Sequence, residues 1–303
     1  MKSKTAGGHL AALVAIFIWG ITYISTKILL VDFQPVEILV YRFLMGILVL
    51  AAAYPHRLKG TTWKQELTFA SAGLCGVTLY YLLEHMALLY TYASNVGVII
   101  SVAPFFTAIL MWILKEDREE RPKLPFFIGF VVAMAGICLI SFAGASLQLN
   151  PLGDFFGLAA AVVWAFYSVL SKKIGSYGYN TIQTTRRIFI YGFLFLLPTL
   201  PFFEFRLDLI RFANPVYLFN IFFLGLGASA LCFVAWNYAV RVLGAVTTSL
   251  YIYLNPVVTV VTSVIVLHER ITGMAALGIL FTLVGLVISE MKFGKKKESW
   301  EAI

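Results

Sequence analysis

The chain has 303 residues, 60% hydrophobic and 13% charged, with a mean hydropathy of +0.88. Soluble domains run near 45–50% apolar and about 25% charged, so this chain has too few polar residues to clothe a water-exposed surface of its size. That largely excludes disorder, nucleic-acid binding and a soluble enzyme domain, and it makes the lipid bilayer the expected surroundings. The net charge of +8 is read first as an orientation signal, since Lys and Arg gather on the cytoplasmic side of membrane proteins.

A hydrocarbon core of roughly 30 Å takes about 20 apolar helical residues to cross. Ten stretches qualify. The first, His9 to Leu29, carries Trp19, Tyr23 and Lys27; its length and lack of a small-residue cleavage site distinguish it from a removable secretory signal. Pro35 to Tyr54 follows with Arg42, then Leu67 to Tyr90 with Tyr80, Tyr81, Glu84 and His85. Ala93 to Leu114 has Pro104 near its middle, and Leu124 to Ala143 has Gly129 and Gly136. Gly153 to Ser171 carries Trp164 and Tyr167, Ile182 to Phe203 carries Arg186 and Arg187, and Val216 to Val240 carries Trp236 and Asn237. Ala245 to Leu267 has Pro256 near its middle, and Gly273 to Met291 has Gly278 and Gly285. No connection is long enough for a separate folded domain.

Sorting the 23 Lys and Arg over the connections puts sixteen on the side of the N-terminus, three opposite (Arg206, Arg211, Arg270) and four inside spans (Lys27, Arg42, Arg186, Arg187). Both termini are therefore expected in the cytoplasm, with an even number of crossings. Arg186 and Arg187 are expected to snorkel, and Arg42, which lies deeper, to be paired. Cys75, Cys138 and Cys232 lie inside spans without ligand-like spacing and are expected as free thiols.

The chain repeats itself. Trp19, Lys27 and Arg42 recur 145 residues on as Trp164, Lys172 and Arg187; Gly73, Ala87, Pro104, Asp117 and Arg118 recur 152 residues on as Gly225, Ala239, Pro256, Glu269 and Arg270. Gly129 and Gly136 match Gly278 and Gly285 at an offset of 149. Two units result, 1–148 and 149–303, each of five crossings, so the second enters the membrane with opposite polarity. The expected fold is an all-α membrane protein of ten transmembrane helices in two inverted five-helix repeats. Such repeats characterise secondary transporters, with the substrate site near the midplane at the repeat interface. Pro104 and Pro256, at matched mid-span positions, are expected to break their helices and deprive the Ile100 and Ile252 carbonyls of a partner beside a cavity, the alternative being a pair of structural kinks relieved by neighbouring helices.

The stretches ALLYTYASNVGVIISVAPFFTAIL and YAVRVLGAVTTSLYIYLNPVVTVVTSVIVLHERIT, each followed by a Gly-spaced last span, together with Trp19-Gly20 and Trp164, resemble the EamA-type transporters of the drug/metabolite transporter superfamily. The resemblance covers nearly the whole chain. It implies ten helices, a cavity lined mainly by spans one, three, four, six, eight and nine, and export of small metabolites or amino acids. Glu116, Asp117 and Arg118 depart from that family's acidic signature, which the second copy carries as His268, Glu269 and Arg270.

Glu84 and His85 are the only acid and histidine well inside a span, and an intramembrane carboxylate is a functional-site candidate that binds an ammonium group or carries a proton. An ion pair with Arg42 or Lys27 is the alternative. Tyr80, Tyr81, Leu88 and Thr91 share its helix face. Asn237 reads either as a substrate contact or as an amide gluing two helices. Thr248, Tyr251, Ile252, Asn255, Thr259 and Thr262 form a polar stripe at helical spacing, whereas the fourth span offers only Asn95, Ser101 and Thr107. Substrate-binding candidates are thus Trp19, Tyr23, Tyr81, Glu84, His85, Trp164, Tyr167, Asn237, Tyr251 and Asn255. Enzyme motifs (HExxH, a phosphate loop, GxSxG) are absent, and no cofactor or metal is expected. The expected function is secondary export of amino acids or related amphipathic metabolites across the cytoplasmic membrane, with protons as a candidate coupling ion. A passive channel or facilitator, or a carrier of organic cations or drugs, is the alternative, and both monomer and homodimer stay open.

Overall fold

The computed structural model describes residues 2–91, 93–114, 122–142, 150–203, 205–258, 261 and 272–290. Glu116, Asp117, Arg118, Thr259, Thr262, His268, Glu269 and Arg270 lie outside them, as does the side chain of Asn95. No strand occurs among the described residues. The helices are α1 (Lys2–Leu29), α2 (Pro35–Ala53), α3 (Trp63–Tyr90), α4 (Ala93–Ile100), α5 (Ala103–Ile113), α6 (Leu124–Phe142), α7 (Pro151–Ser176), α8 (Thr181–Leu196, continued as a 3-10 stretch Leu197–Phe203), α9 (Pro215–Leu243), α10 (Ala245–Leu250) and α11 (Gly273–Glu290). Among the described residues, seven helical stretches are long and apolar enough to cross a bilayer, and shorter apolar helices cover Leu124–Leu139 and Ala276–Ser289. The chain is an all-α membrane protein.

Helix starts follow local chemistry. Asn150 and Asn214 each precede a proline, and their side-chain oxygens accept from the backbone N–H groups of Leu152 and Val216 at 3.1 and 2.9 Å. An Asn cap followed by Pro at the first helical position satisfies orphan donors and pre-sets φ. Thr62 with Gln65 and Gln34 with Glu37 form capping boxes. Gly129, Gly136, Gly278 and Gly285 are packing residues, as their spacing predicts. A Cβ on Gly136 would stand 2.6 Å from the Gly278 carbonyl oxygen, and one on Gly285 would stand 2.7 Å from the Ala133 Cα, so α6 and α11 touch backbone to backbone.

Both long middle helices change gauge midway. α3 contains a π-helical stretch at Leu74–Leu79 and α9 one at Phe223–Leu231. At the repeat offset of 152 the first stretch maps onto residues 226–231, inside the second, so the irregularity is duplicated with the sequence. The proline-bearing segments are interrupted as well. α4 ends at Ile100, residues 101 and 102 form a turn, and Pro104 sits in the first turn of α5, where a missing N–H is tolerated. In the second copy α10 passes into a 3-10 turn at Tyr251–Tyr253 before helical residues 254–258, which contain Pro256.

Arg186 departs from the snorkelling expected of it. Its side chain donates to the carbonyl oxygens of Tyr54 and His56 at 2.7 and 2.5 Å. A cation there meets the negative end of α2, a stronger attraction than a reach for the headgroups.

Candidate functional site

The segments converge on a small, largely buried cavity of about 20 Å³, room for about one water, lined by Trp19, Thr22, Tyr23, Tyr80, Tyr81, Glu84, Ile100, Trp164, Ile252 and Asn255. It draws on α1, α3, the end of α4, α7 and the 3-10 break, hence on both sequence repeats. Every lining residue is at most 8% exposed. Ile100 and Ile252, whose carbonyls Pro104 and Pro256 cannot serve as donors, both face this space.

Aromatic rings form most of the wall. The matched tryptophans Trp19 and Trp164 meet edge to face, 5.3 Å apart at 86°. Tyr80 lies 4.6 Å from Trp164, and Trp236 backs both tryptophans at 5.2 and 5.9 Å. Such pairs contribute about 0.5–1.5 kcal/mol each beyond their burial, so the wall is stiff. The two tryptophans differ in one respect. Trp19 Nε1 donates to the Ala228 carbonyl oxygen at 2.9 Å, within the π-helical stretch of α9, whereas the buried Trp164 Nε1 has no hydrogen-bond partner.

Glu84 supplies the cavity's charge. It is 4% exposed, its Oε2 has no hydrogen-bond partner, and no cation stands within 4.0 Å among the described residues. The ion pair with Lys27 or Arg42 weighed from sequence is therefore absent at that distance. Lys27 Nζ donates to the Leu88 and Thr91 carbonyls at 3.3 and 3.1 Å, where it complements the end of α3. Arg42, 1% exposed, lays its guanidinium over the Tyr81 ring at 4.3 Å and donates from Nε to Ser229 Oγ at 3.0 Å, while one terminal nitrogen lacks a partner. Tyr81 thus stands as a wall between the buried guanidinium and the cavity.

Of the candidates read from sequence, Trp19, Tyr23, Tyr81, Glu84, Trp164 and Asn255 line the cavity. Tyr167, Asn237, His85 and Tyr251 lie outside the lining. Asn237 Oδ1 accepts from Tyr167 at 2.6 Å and Ser171 at 2.7 Å, and its Nδ2 donates to Thr185 at 3.0 Å, which clamps α7, α8 and α9 together. His85 faces the Pro35 carbonyl at 3.4 Å, and Tyr251 shares a 2.6 Å hydrogen bond with His9 Nδ1. Thr22, Tyr80, Ile100 and Ile252 are lining residues that the candidate set omits. For Tyr80 the signal was its place on the face of Glu84.

Polar clusters bridge the two copies at both ends of α2. At its N-terminal end the buried Glu37 takes both terminal nitrogens of Arg211 at 3.0 Å, plus the backbone N–H of Arg206 at 2.9 Å and of Gln34 at 2.8 Å. Beyond its C-terminal end Glu66 takes Arg187 at 2.9 Å, Thr61 at 2.6 Å and Tyr191 at 2.5 Å. No cluster of metal-binding side chains occurs among the described residues.

The chain matches the EamA-like transporter family over residues 6–142 and again over 151–291. An "Uncharacterized transporter" of Archaeoglobus fulgidus is 30% identical over 304 residues, covering 96% of this chain and 99% of its own. "Uncharacterized transporter YvbV" of Bacillus subtilis is 26% identical over 98% and 94% of the two chains. A protein of Streptantibioticus cattleyicolor named "Probable terminal-alkyne amino-acid exporter" is 27% identical over 76% of this chain and 75% of its own. A solved crystal structure shares the fold with a TM-score of 0.73 at 19% identity, covering 94% of this chain and 97% of that one. With the family matched twice over most of its length, the chain belongs to the EamA-like transporter family and is a membrane transporter, not an enzyme.

Proposed function

We propose that the chain is a ten-helix secondary carrier of two inverted five-helix repeats, 1–148 and 149–303, that exports amino acids or related amphipathic metabolites across the cytoplasmic membrane by alternating access. Both termini are cytoplasmic in this reading. The observation that carries it is the buried aromatic cavity drawn from both repeats, with Glu84 in its wall. A carrier needs a site sealed from both sides at one point of its cycle, whereas an open pore does not. The simultaneous ties through Glu37 and Glu66 fit such an occluded conformer. Trp19, Tyr23, Tyr81, Glu84, Trp164 and Asn255 contact the cargo; Tyr167 and Asn237 hold the wall behind them. His85 and Tyr251 act at the margin, and the breaks before Pro104 and Pro256 let the half-helices tilt. Protons are the candidate coupling ion through Glu84.

The amino-acid class draws support from the exporter of Streptantibioticus cattleyicolor and from the pairing of one carboxylate with aromatic faces. The same carboxylate among rings also favours a second reading, a carrier of organic cations. A melting screen of the purified protein against amino acids, organic cations and sugar phosphates tests the proposal, because a ligand at 100 times its Kd stabilises the native state by about 2.7 kcal/mol. Stabilisation by amino acids is expected. Stabilisation by sugar phosphates alone would overturn it.

A further inference from the structure

We infer that the indole N–H of Trp164 is a ligand-recognition donor, and that the cavity takes a zwitterion, ammonium on Glu84 and carboxylate on Trp164, in preference to a simple amine. The inference rests on the carrier reading and narrows its cargo. Three observations lead to it.

The first is a broken symmetry. Trp19 and Trp164 are repeat mates, and Trp19 Nε1 donates to the Ala228 carbonyl in the second π-helical stretch. The residue matching Ala228 at the offset of 152 is Gly76, in the first π-helical stretch. Trp164 would complete the pattern by donating to Gly76, but a Cβ on Gly76 would fall into the Tyr167 ring, which packs against that backbone. The Trp164 donor is left without an acceptor, buried and in the cavity wall. A buried donor with no partner is unfavourable and uncommon in native proteins, more so at membrane depth, unless a ligand or water completes it.

The second is Glu84, whose Oε2 has no hydrogen-bond partner among the described residues and which lines the same wall. Glu84 Oε2 and Trp164 Nε1 belong to residues that line the same cavity, and an acceptor and a donor there match a solute that carries both a donor and an acceptor. The third is charge. With Glu84 ionised, the buried Arg42 behind Tyr81 balances it, so a net-neutral cargo leaves the membrane interior neutral, whereas a monovalent amine leaves an uncompensated positive charge.

The test uses full-length protein in nanodiscs and titration calorimetry. The probes are the common L-amino acids, and for each binder its decarboxylated amine and its deaminated acid. Wild-type protein should bind the amino acid about tenfold more tightly than the amine, the scale of one hydrogen bond to a charged acceptor, with the acid weakest. In Trp164→Phe the amino acid should weaken about tenfold while the amine changes less than twofold. Trp63→Phe, at an exposed position outside the cavity lining, should leave the ratio of the two ligands unchanged. An amine that binds wild type as tightly as its amino acid overturns the inference without recourse to any variant, as does a Trp164→Phe protein that keeps the wild-type ratio. Both results leave the carrier reading standing; binding of none of the amino acids would overturn the amino-acid reading and this inference with it.

Discussion

Replacing Glu84 by Gln keeps the shape of the side chain and removes its charge. The carboxylate is 4% exposed and, among the described residues, has an oxygen without a partner and no cation within 4.0 Å. A buried charged group left unsatisfied costs more than the 1–3 kcal/mol of a neutral one. The nearest offsetting charge is Arg42, screened by the Tyr81 ring. Gln lowers that cost, so the variant is expected to gain on the order of 1 kcal/mol, a rise in melting temperature of about 2–4 °C on the scale of domains of 150–250 residues. Transport in proteoliposomes should fall at least tenfold on loss of an ionic contact with the cargo or of a carried proton, because 1.4 kcal/mol is a factor of ten. Greater stability with less activity is the pattern of a residue kept for function. A variant melting well below wild type, rescued by Arg42→Gln, would refute this reasoning and make the carboxylate structural. Wild-type transport would remove Glu84 from the mechanism.

Arg211→Ala strands the buried Glu37 and should lower stability by about 3–5 kcal/mol, a loss that adding Glu37→Gln largely restores; thermal melts of the single and double variants measure both. Pro256→Ala supplies an N–H for the Ile252 carbonyl, straightens the segment and should impair transport while insertion and folding persist; kinetics equal to wild type would reduce the break to packing. A Cys introduced at Asn150 in a background without native Cys should react with an impermeant thiol reagent in intact cells, whereas one at Lys59 should be protected; the reverse pattern would invert the orientation.

The helical architecture was legible because bilayer thickness and apolar run length act locally. The Gly129, Gly136, Gly278 and Gly285 contacts were legible from spacing alone, and the proline positions located the breaks within a turn. What sequence left hidden depends on three-dimensional partners. The π-helical stretches leave no signature in hydropathy, although matched Gly73 and Gly225 stand just before one and inside the other. Asn237 and Tyr167 read equally well as cargo contacts; their hydrogen bonds to each other, to Ser171 and to Thr185 come from chain segments about 50–70 residues apart, a relation that no periodicity encodes. Arg186 was read from its depth alone, without the end of α2 that it meets. Glu84 and Arg42 were recognised as deep charges, but the ring of Tyr81 between them is a fact of packing.

The central claim is that cargo crosses by alternating exposure of one closed site, and counterflow measures it directly. Proteoliposomes loaded with unlabelled amino acid and diluted into trace labelled amino acid should show transient accumulation of label above its external concentration, accelerated by the internal pool. Label that only equilibrates, at a rate indifferent to the internal pool, would contradict the account and identify a passive pore.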